Sequence, residues 1–183
     1  MRRNPRALAF VAHRLMAGVA VWLAAGTAFA DIPGEAAIKA AYLVKFAPFV
    51  RWPPDAFLRP DAPLVVCVAG TDPFGSLLER IALGQQIDGH GVVVRRMATA
   101  RRGSGCHVLY VGGSSGQSVA QGLEAVRAEP VLTVTEAEGP RGVISFAMVE
   151  NHVRFRVDDR LAAADGLKLS SKLLSLAVSV TPR

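Results

Sequence analysis

The sequence predicts a single α/β domain over residues 31–183, in which a mixed β-sheet is flanked by helices in Rossmann-like α/β/α layers. Short runs of apolar and β-branched residues alternate with segments of helical periodicity, as in chains that connect parallel strands through crossover helices. Residues 143–157 instead alternate between apolar and polar side chains, which predicts a hairpin added to the same sheet. A length of about 150 residues suits one domain with its own core.

The first half of this domain begins with a helix and a buried strand. Over residues 35–50 apolar side chains recur at i, i+3 and i+4 spacing, which is typical of an amphipathic helix. Residues 64–69 are all apolar and rich in valine, which predicts a strand buried on both faces. A second helix is expected over residues 73–83, because Thr71 or Asp72 can cap it and proline is favoured at a first helical position.

The middle of the chain continues this pattern. Residues 92–94 and 108–111 predict two further strands, since both runs are short, apolar and β-branched. A helix is expected over residues 117–128, and residues 131–134 predict another buried strand.

The end of the chain predicts a hairpin and two helices. The alternation in residues 143–157 is centred on Glu150-Asn151, which suits a tight turn. Asp158 and Asp159 can cap a short helix, and a final apolar helix is expected from Ser170 or Ser171.

Residues 1–30 have the organisation of a cleavable secretory signal. Four arginines form a basic start, Leu15–Gly26 is uncharged and apolar, and Ala28-Phe29-Ala30 is the small-x-small pattern that signal peptidases cut. The uncharged stretch that ends at Ala30 is shorter than a membrane-spanning helix requires. We therefore expect cleavage after Ala30 and a periplasmic protein, with a retained membrane anchor as the alternative. ATP and NAD are not supplied in that compartment, which argues against nucleotide-driven chemistry.

The charge balance argues against nucleic-acid binding. The chain has 21 Lys and Arg against 15 Asp and Glu, a formal net charge of +6. Four of these cations and none of the acids lie in the predicted signal, so its removal lowers the net charge to +2. Arg95, Arg96, Arg101 and Arg102 form a local basic patch, which we interpret as a solvated loop, with anion binding as the alternative.

Two cysteines, Cys67 and Cys106, suggest one disulfide. An oxidising compartment favours their pairing, although two buried thiols that never meet remain the alternative. No metal site is expected, because these cysteines and the histidines His90, His107 and His152 show no ligand spacing.

Two glycine-rich segments follow predicted strands and are candidate ligand loops. The run Gly112, Gly113, Ser114 and Ser115 precedes a helix, so several backbone N–H groups could point at one small ligand. The segment Gly70–Gly75 has a similar position, but it matches neither the dinucleotide nor the phosphate-loop pattern. A flexible loop and a tight strand-to-helix turn are the respective alternatives.

No residue set has the pattern of an active site. There is no nucleophile elbow, and Ser170 and Ser171 lie too close to Lys172 for the Ser-x-x-Lys arrangement. Asp158-Asp159 is more typical of a helix cap than of an acid–base pair. We therefore predict no catalytic residues, no cofactor and no enzyme activity.

The chain resembles the YfiR-like family of periplasmic regulators over nearly all of residues 31–183. Seven fragments in order support this resemblance: AAYLVKF at residues 40–46, WP at 52–53, VCVAGTDPFG at 66–75, CHVLYV at 106–111, VLTV at 131–134, GVISF at 142–146 and GLKLSSKLL at 166–174.

The resemblance implies a non-catalytic protein that represses an inner-membrane diguanylate cyclase by contacting its periplasmic sensing domain, and so controls cyclic-di-GMP. It also implies a homodimer and a disulfide between Cys67 and Cys106. Some family members have a second cysteine pair late in the chain. This sequence lacks that pair, so redox control through it is not expected.

A regulator that acts by binding needs an exposed apolar patch. The stretch Leu167, Lys168, Leu169 and Ser170 is our candidate for this patch, because apolar residues there occupy more than one face. The alternative is that these leucines belong to the core. The competing function is a periplasmic receptor for an unknown small ligand bound by one of the glycine-rich segments.

Overall fold

An eight-stranded mixed β-sheet organises the computed structural model, which describes residues 34–136 and 138–183. The predicted signal peptide, residues 1–30, lies outside the described residues. The strands are β1 Val50–Arg51, β2 Leu64–Gly70, β3 Gln86–Ile87, β4 His90–Met97, β5 Val108–Gly113, β6 Leu132–Thr135, β7 Ile144–Val149, β8 His152–Asp158, β9 Lys168–Leu169 and β10 Ser179–Thr181. The helices are α1 Glu35–Phe46, α2 Leu77–Ala82, α3 Val119–Ala125, α4 Asp159–Ala164 and α5 Ser171–Leu176.

The large sheet has a parallel centre and a mixed edge. Its order is β10-β8-β7-β6-β5-β2-β4-β3. The five consecutive strands β7, β6, β5, β2 and β4 are all parallel to one another. Strand β8 returns antiparallel to β7 through Glu150 and Asn151, whose positive φ angles suit a two-residue hairpin turn. Strand β10 then pairs in parallel with β8. The predicted α/β class with a mixed sheet is therefore confirmed.

Strand β2 is buried on both faces, because it lies between β4 and β5 with helices on either side. Leu64, Val66 and Val68 point to the larger core, which α1, α2, α4 and α5 cover. Val65 and Cys67 point to a second core, which α3 covers. The helices therefore form layers on both faces of the sheet, as the apolar run at residues 64–69 predicted.

Helix α1 packs on the larger core through its aromatic side chains. Phe46 is buried, and its ring centroid lies 5.4 Å from that of Tyr42 and 5.0 Å from that of Phe155 on β8. Helix α1 ends at Phe46, four residues earlier than expected, and a single 3₁₀ turn at Ala47–Phe49 follows it. Pro48 accounts for this change, since it cannot donate the hydrogen bond that the α-helix needs there.

The second and third helices are also shorter than predicted. The Asp72 carboxylate accepts hydrogen bonds from the N–H groups of Phe74 (2.7 Å) and Gly75 (3.3 Å), so it closes a turn before α2, which begins at Leu77. Helix α3 begins at Val119, because the Ser118 side chain accepts from the Gln121 N–H in a capping box.

Four short strands were not predicted: β1, β3, β9 and β10. Each has two or three residues, and β1 pairs only with β9 in a separate two-stranded sheet. Strand β9 occupies Lys168–Leu169, just before the final helix, which begins at Ser171 as expected and is capped by Ser170. Strand β10 extends the large sheet beyond that helix, where no further element was expected.

A disulfide joins Cys67 and Cys106, as predicted. Both residues are buried in the core under α3. Cys67 lies within β2 and Cys106 in the loop before β5, so the bond ties the central strand to the start of its neighbour across a sequence separation of 39 residues. This bond therefore closes the β2–α2–β4 segment into a covalent loop.

We expect Cys67→Ser to lower the free energy of unfolding by about 2 to 5 kcal/mol, because the reduced chain regains the loop entropy that the bond removes from the unfolded state. Urea unfolding of the variant and the wild type measures this difference. Alkylation of the unreduced protein followed by mass spectrometry checks that the disulfide is present. Two alkylated cysteines would show that it is not.

Candidate functional site

The two glycine-rich segments pack against each other at the carboxyl ends of β2 and β5. The backbone N–H of Thr71 donates to the Gly113 carbonyl oxygen at 2.7 Å, and the Thr71 hydroxyl donates to the same oxygen at 3.0 Å. A Cβ atom on Gly112 would overlap the Thr71 carbonyl oxygen, and one on Gly70 would overlap that of Gly113. The close approach of these two backbones accounts for the glycines.

The serines of the second segment also bond locally. The Ser114 N–H donates to the Gln117 carbonyl oxygen at 2.8 Å, and the Ser114 hydroxyl accepts from the Gln117 N–H at 3.2 Å. Ser115 is exposed. Ligand binding by Gly112, Gly113, Ser114 and Ser115 stays a prediction, and this internal bonding leaves fewer donors for it.

The arginines before Cys106 bind neighbouring parts of the protein. The Arg96 guanidinium pairs with Asp72 at 2.6 Å and with Glu79 of α2, and it also donates to the Gly75 carbonyl oxygen. Burial alone would raise the pKa of Asp72, but the hydrogen bond from Arg96 lowers it below its ordinary value. Arg95 donates to the Ser104 carbonyl oxygen at 2.7 Å. Both side chains therefore hold loops against the sheet.

A buried lysine lies in an acidic cluster that the sequence did not indicate. The Lys39 ammonium is 2.5 Å from the Glu35 carboxylate and 2.6 Å from that of Glu136. The Tyr110 hydroxyl donates to Glu136 at 2.9 Å, and burial together with the Glu136 charge raises the pKa of Tyr110. The i, i+4 spacing of Glu35 and Lys39 is the only local signal of this cluster, because Tyr110 lies on β5 and Glu136 directly after β6. The cluster attaches α1 to β5 and β6.

Two histidines flank Phe57 at the amino-terminal end of β2. The Phe57 ring stacks on His90 with a centroid separation of 4.0 Å and on His107 with one of 4.1 Å. His107 Nδ1 accepts from the Val65 N–H at 3.1 Å, so Nε2 holds the proton and faces the Ala56 carbonyl oxygen at 3.2 Å. Burial lowers the pKa of His107, and the charges of His90 and Arg95 lower it further.

Because the pKa of His107 is lower in the folded protein than in the unfolded chain, the unfolded state takes up its proton first as the pH falls below about 6.5. We expect the free energy of unfolding to decrease over that pH range in the wild type. His107→Gln keeps one donor and one acceptor but does not titrate, so its stability should depend less on pH.

Urea unfolding at several pH values measures this difference. His152→Gln is the matched control, since His152 is exposed. If His107→Gln retained the full pH dependence of the wild type, His107 would not be its source.

Three residues of the predicted patch, Lys168, Leu169 and Ser170, form one side of a groove. Val50 pairs with Leu169 and Arg51 with Lys168 in the β1–β9 ribbon, and the Ser170 N–H donates to the Phe49 carbonyl oxygen at 2.9 Å. The cavity beside this ribbon has a volume of about 430 Å³. Its lining consists of Pro48, Phe49, Val50, Arg51, Asp88, Lys168, Leu169 and Ser170, and we call it the ribbon groove.

The four residues of the predicted patch differ in exposure. Leu167 is 1% exposed and belongs to the core, whereas Lys168 is exposed and Leu169 is half-buried. The Ser170 hydroxyl caps α5 by accepting from the Leu173 N–H at 3.2 Å. A partner can therefore reach Lys168, Leu169 and Ser170, while Leu167 holds the ribbon on the core.

The carboxylates that precede α4 have structural roles. Asp158 accepts from the Leu161 N–H at 2.8 Å and caps the helix, and Asp159 pairs with Arg183 at 2.9 Å. Within residues 34–136 and 138–183, no three His, Cys, Asp or Glu side chains are grouped so that they could hold a metal ion.

The protein is an α/β domain with one internal disulfide and a groove on its surface. The chain belongs to the YfiR/HmsC-like family, whose profile matches residues 36–178. The family resemblance predicted from the sequence is therefore confirmed. A comparison with curated proteins finds no significant match.

Membership of this family indicates a periplasmic regulator in diguanylate cyclase signalling. In the described part of the chain, the helices are too short or too polar to cross a membrane.

Proposed function

We propose that this protein is a non-catalytic periplasmic repressor that binds the periplasmic sensing domain of an inner-membrane diguanylate cyclase. The observation that supports this proposal most directly is the ribbon groove, in which an exposed lysine and a half-buried leucine of the GLKLSS segment lie together. This segment falls within the residues that the family profile matches. Binding at this groove would hold the cyclase in its inactive state and keep cyclic-di-GMP low.

The β1–β9 ribbon suits a regulatory contact because few backbone hydrogen bonds join its two strands, although Val50 anchors it in the larger core. Only two residue pairs form its ladder, Val50 with Leu169 and Arg51 with Lys168. Segments with so few backbone hydrogen bonds open at a lower free energy than central strands. A partner that binds one arrangement of the ribbon better than another can therefore shift the balance between them.

The proposal includes export with cleavage after Ala30 and association of two copies. Exposed apolar side chains near the carboxyl end, on Leu176, Val178 and Val180, lie in or beside the sheet-edge strand β10. An edge strand with apolar side chains is a ready surface for another chain. This end of the sheet is where we place the contact between two copies.

A receptor for a small ligand is the second candidate function. The volume of the ribbon groove falls in the range of small-molecule sites, which is the observation that favours it. Ligand binding and partner binding at the same groove would be coupled, so a ligand could change the repression.

We expect Leu169→Asp to release the cyclase, because a carboxylate forced into an apolar contact is costly to desolvate. The cellular result should be a rise in cyclic-di-GMP while the variant persists in the periplasm at the wild-type level. Both quantities are measured in the same cells, since an unfolded repressor would also fail to repress.

Leu58→Asp is the matched control, because Leu58 is 95% exposed and lies outside the ribbon groove. It should leave cyclic-di-GMP unchanged. If Leu169→Asp persisted at normal levels and cyclic-di-GMP did not rise, the ribbon groove would not be the repressing surface.

A further inference from the structure

Two cations face each other across the β1–β9 ribbon. Arg51 and Lys168 are directly paired in the antiparallel ladder, and both are exposed. Side chains in such positions have Cβ atoms about 5 Å apart, and like charges there destabilise the pair. An anionic group bound between them would turn this repulsion into attraction.

A third cation lies beside the same groove. The Lys172 ammonium is 5.8 Å from the centroid of the Phe49 ring, which lines the groove. Among the described residues, no carboxylate lies within 4.0 Å of the charged nitrogens of Arg51, Lys168 or Lys172. Asp88 is the one acidic residue in the lining, so the groove has an excess of positive charge.

The ribbon also has backbone groups that a partner could use. Strands β1 and β9 pair only with each other in the described part of the chain. The Val50 N–H of β1 already donates to the Ala47 carbonyl oxygen, so the outer edge of β9 is the better candidate for a further strand. An extended segment can add to such an edge through main-chain hydrogen bonds, while its side chains enter the adjoining groove.

We propose that the ribbon groove binds an extended acidic segment of the partner protein, with carboxylates placed between Arg51, Lys168 and Lys172. This inference rests on the proposed function and adds to it the chemistry of the partner. Apolar side chains that alternate with the acids would contact Phe49 and Leu169. Charge complementarity of this kind raises the association rate and selects the correct partner.

The shape of the surface favours a peptide segment over an anionic membrane. A membrane-binding surface inserts protruding apolar side chains below its cationic ring. Among the four apolar residues of the lining, Val50 is buried, Phe49 and Leu169 are half-buried, and Pro48 alone is exposed.

The first experiment measures binding of a fluorescein-labelled peptide of alternating glutamate and valine to the protein purified from the periplasm, by fluorescence anisotropy. A peptide with lysine in place of glutamate is the probe control. We expect binding of the glutamate peptide alone, and weaker binding as sodium chloride rises from about 0.05 to about 0.5 M.

Lys168→Glu and Arg51→Glu should each weaken this binding by about tenfold or more, whereas Lys168→Arg keeps the charge and should retain it. Arg141→Glu is the matched control, since it makes the same charge change at an exposed site outside the groove and should retain binding. Circular dichroism checks the fold of each variant. Equal loss in Arg141→Glu, or no binding by the wild type, would overturn the inference.

Two further measurements separate this inference from the membrane alternative and from the proposed function. Co-sedimentation with phosphatidylglycerol vesicles that depends on Lys168 would assign the cations to a membrane and overturn the inference. The second measurement asks whether the immobilised wild type and each variant retain the cyclase from detergent-solubilised inner membranes. Release by both Leu169→Asp and Lys168→Glu supports the inference, and release by Leu169→Asp alone overturns it while the proposed function stands. Retention by both variants contradicts both proposals.

Discussion

Burial of β2 on both faces is the constraint on which the rest of the structure depends. Because successive side chains of a strand point to opposite faces, Val66 packs under α1 and α2 while Cys67 packs under α3. The strand also places Cys67 where it can bond to Cys106, and this disulfide positions the start of β5. His107, the next residue, accepts the Val65 N–H and contacts the loop before β2. One central strand thus determines both cores and the position of its neighbours.

The candidate site lies on a much less constrained part of the fold. The β1–β9 ribbon is joined by two residue pairs, and Val50 and Leu167 anchor it to the larger core. A ladder of two residue pairs opens at a lower free energy than the central strands do, which suits a segment that acts by binding. The other polar clusters, around Lys39 and Arg96, hold helices and loops to the sheet and are structural.

The sequence predicted the parts of the fold that local pattern determines. The apolar run in β2, the alternation in β7 and β8, the cap at Asp158 and the start of the last helix at Ser171 each have a cause within a few residues. The pairing of β1 with β9 joins segments that are far apart in sequence, and each strand has only two residues, which is too short to show a periodic pattern. The role of Gly70 and Gly112 likewise depends on the meeting of β2 and β5 at one sheet edge. Arg51 and Lys168 were therefore not recognisable in the sequence as one charged site.

The central claim is that the ribbon groove is the surface that contacts the cyclase. Hydrogen–deuterium exchange of the protein, with and without the periplasmic domain of the cyclase, tests this claim most directly. The account predicts slower exchange of the amides in residues 49–51 and 168–170 when the partner is present, because few hydrogen bonds protect them in the free protein. Unchanged exchange in the ribbon, with new protection at the turns around Gly70 and Gly113, would contradict it.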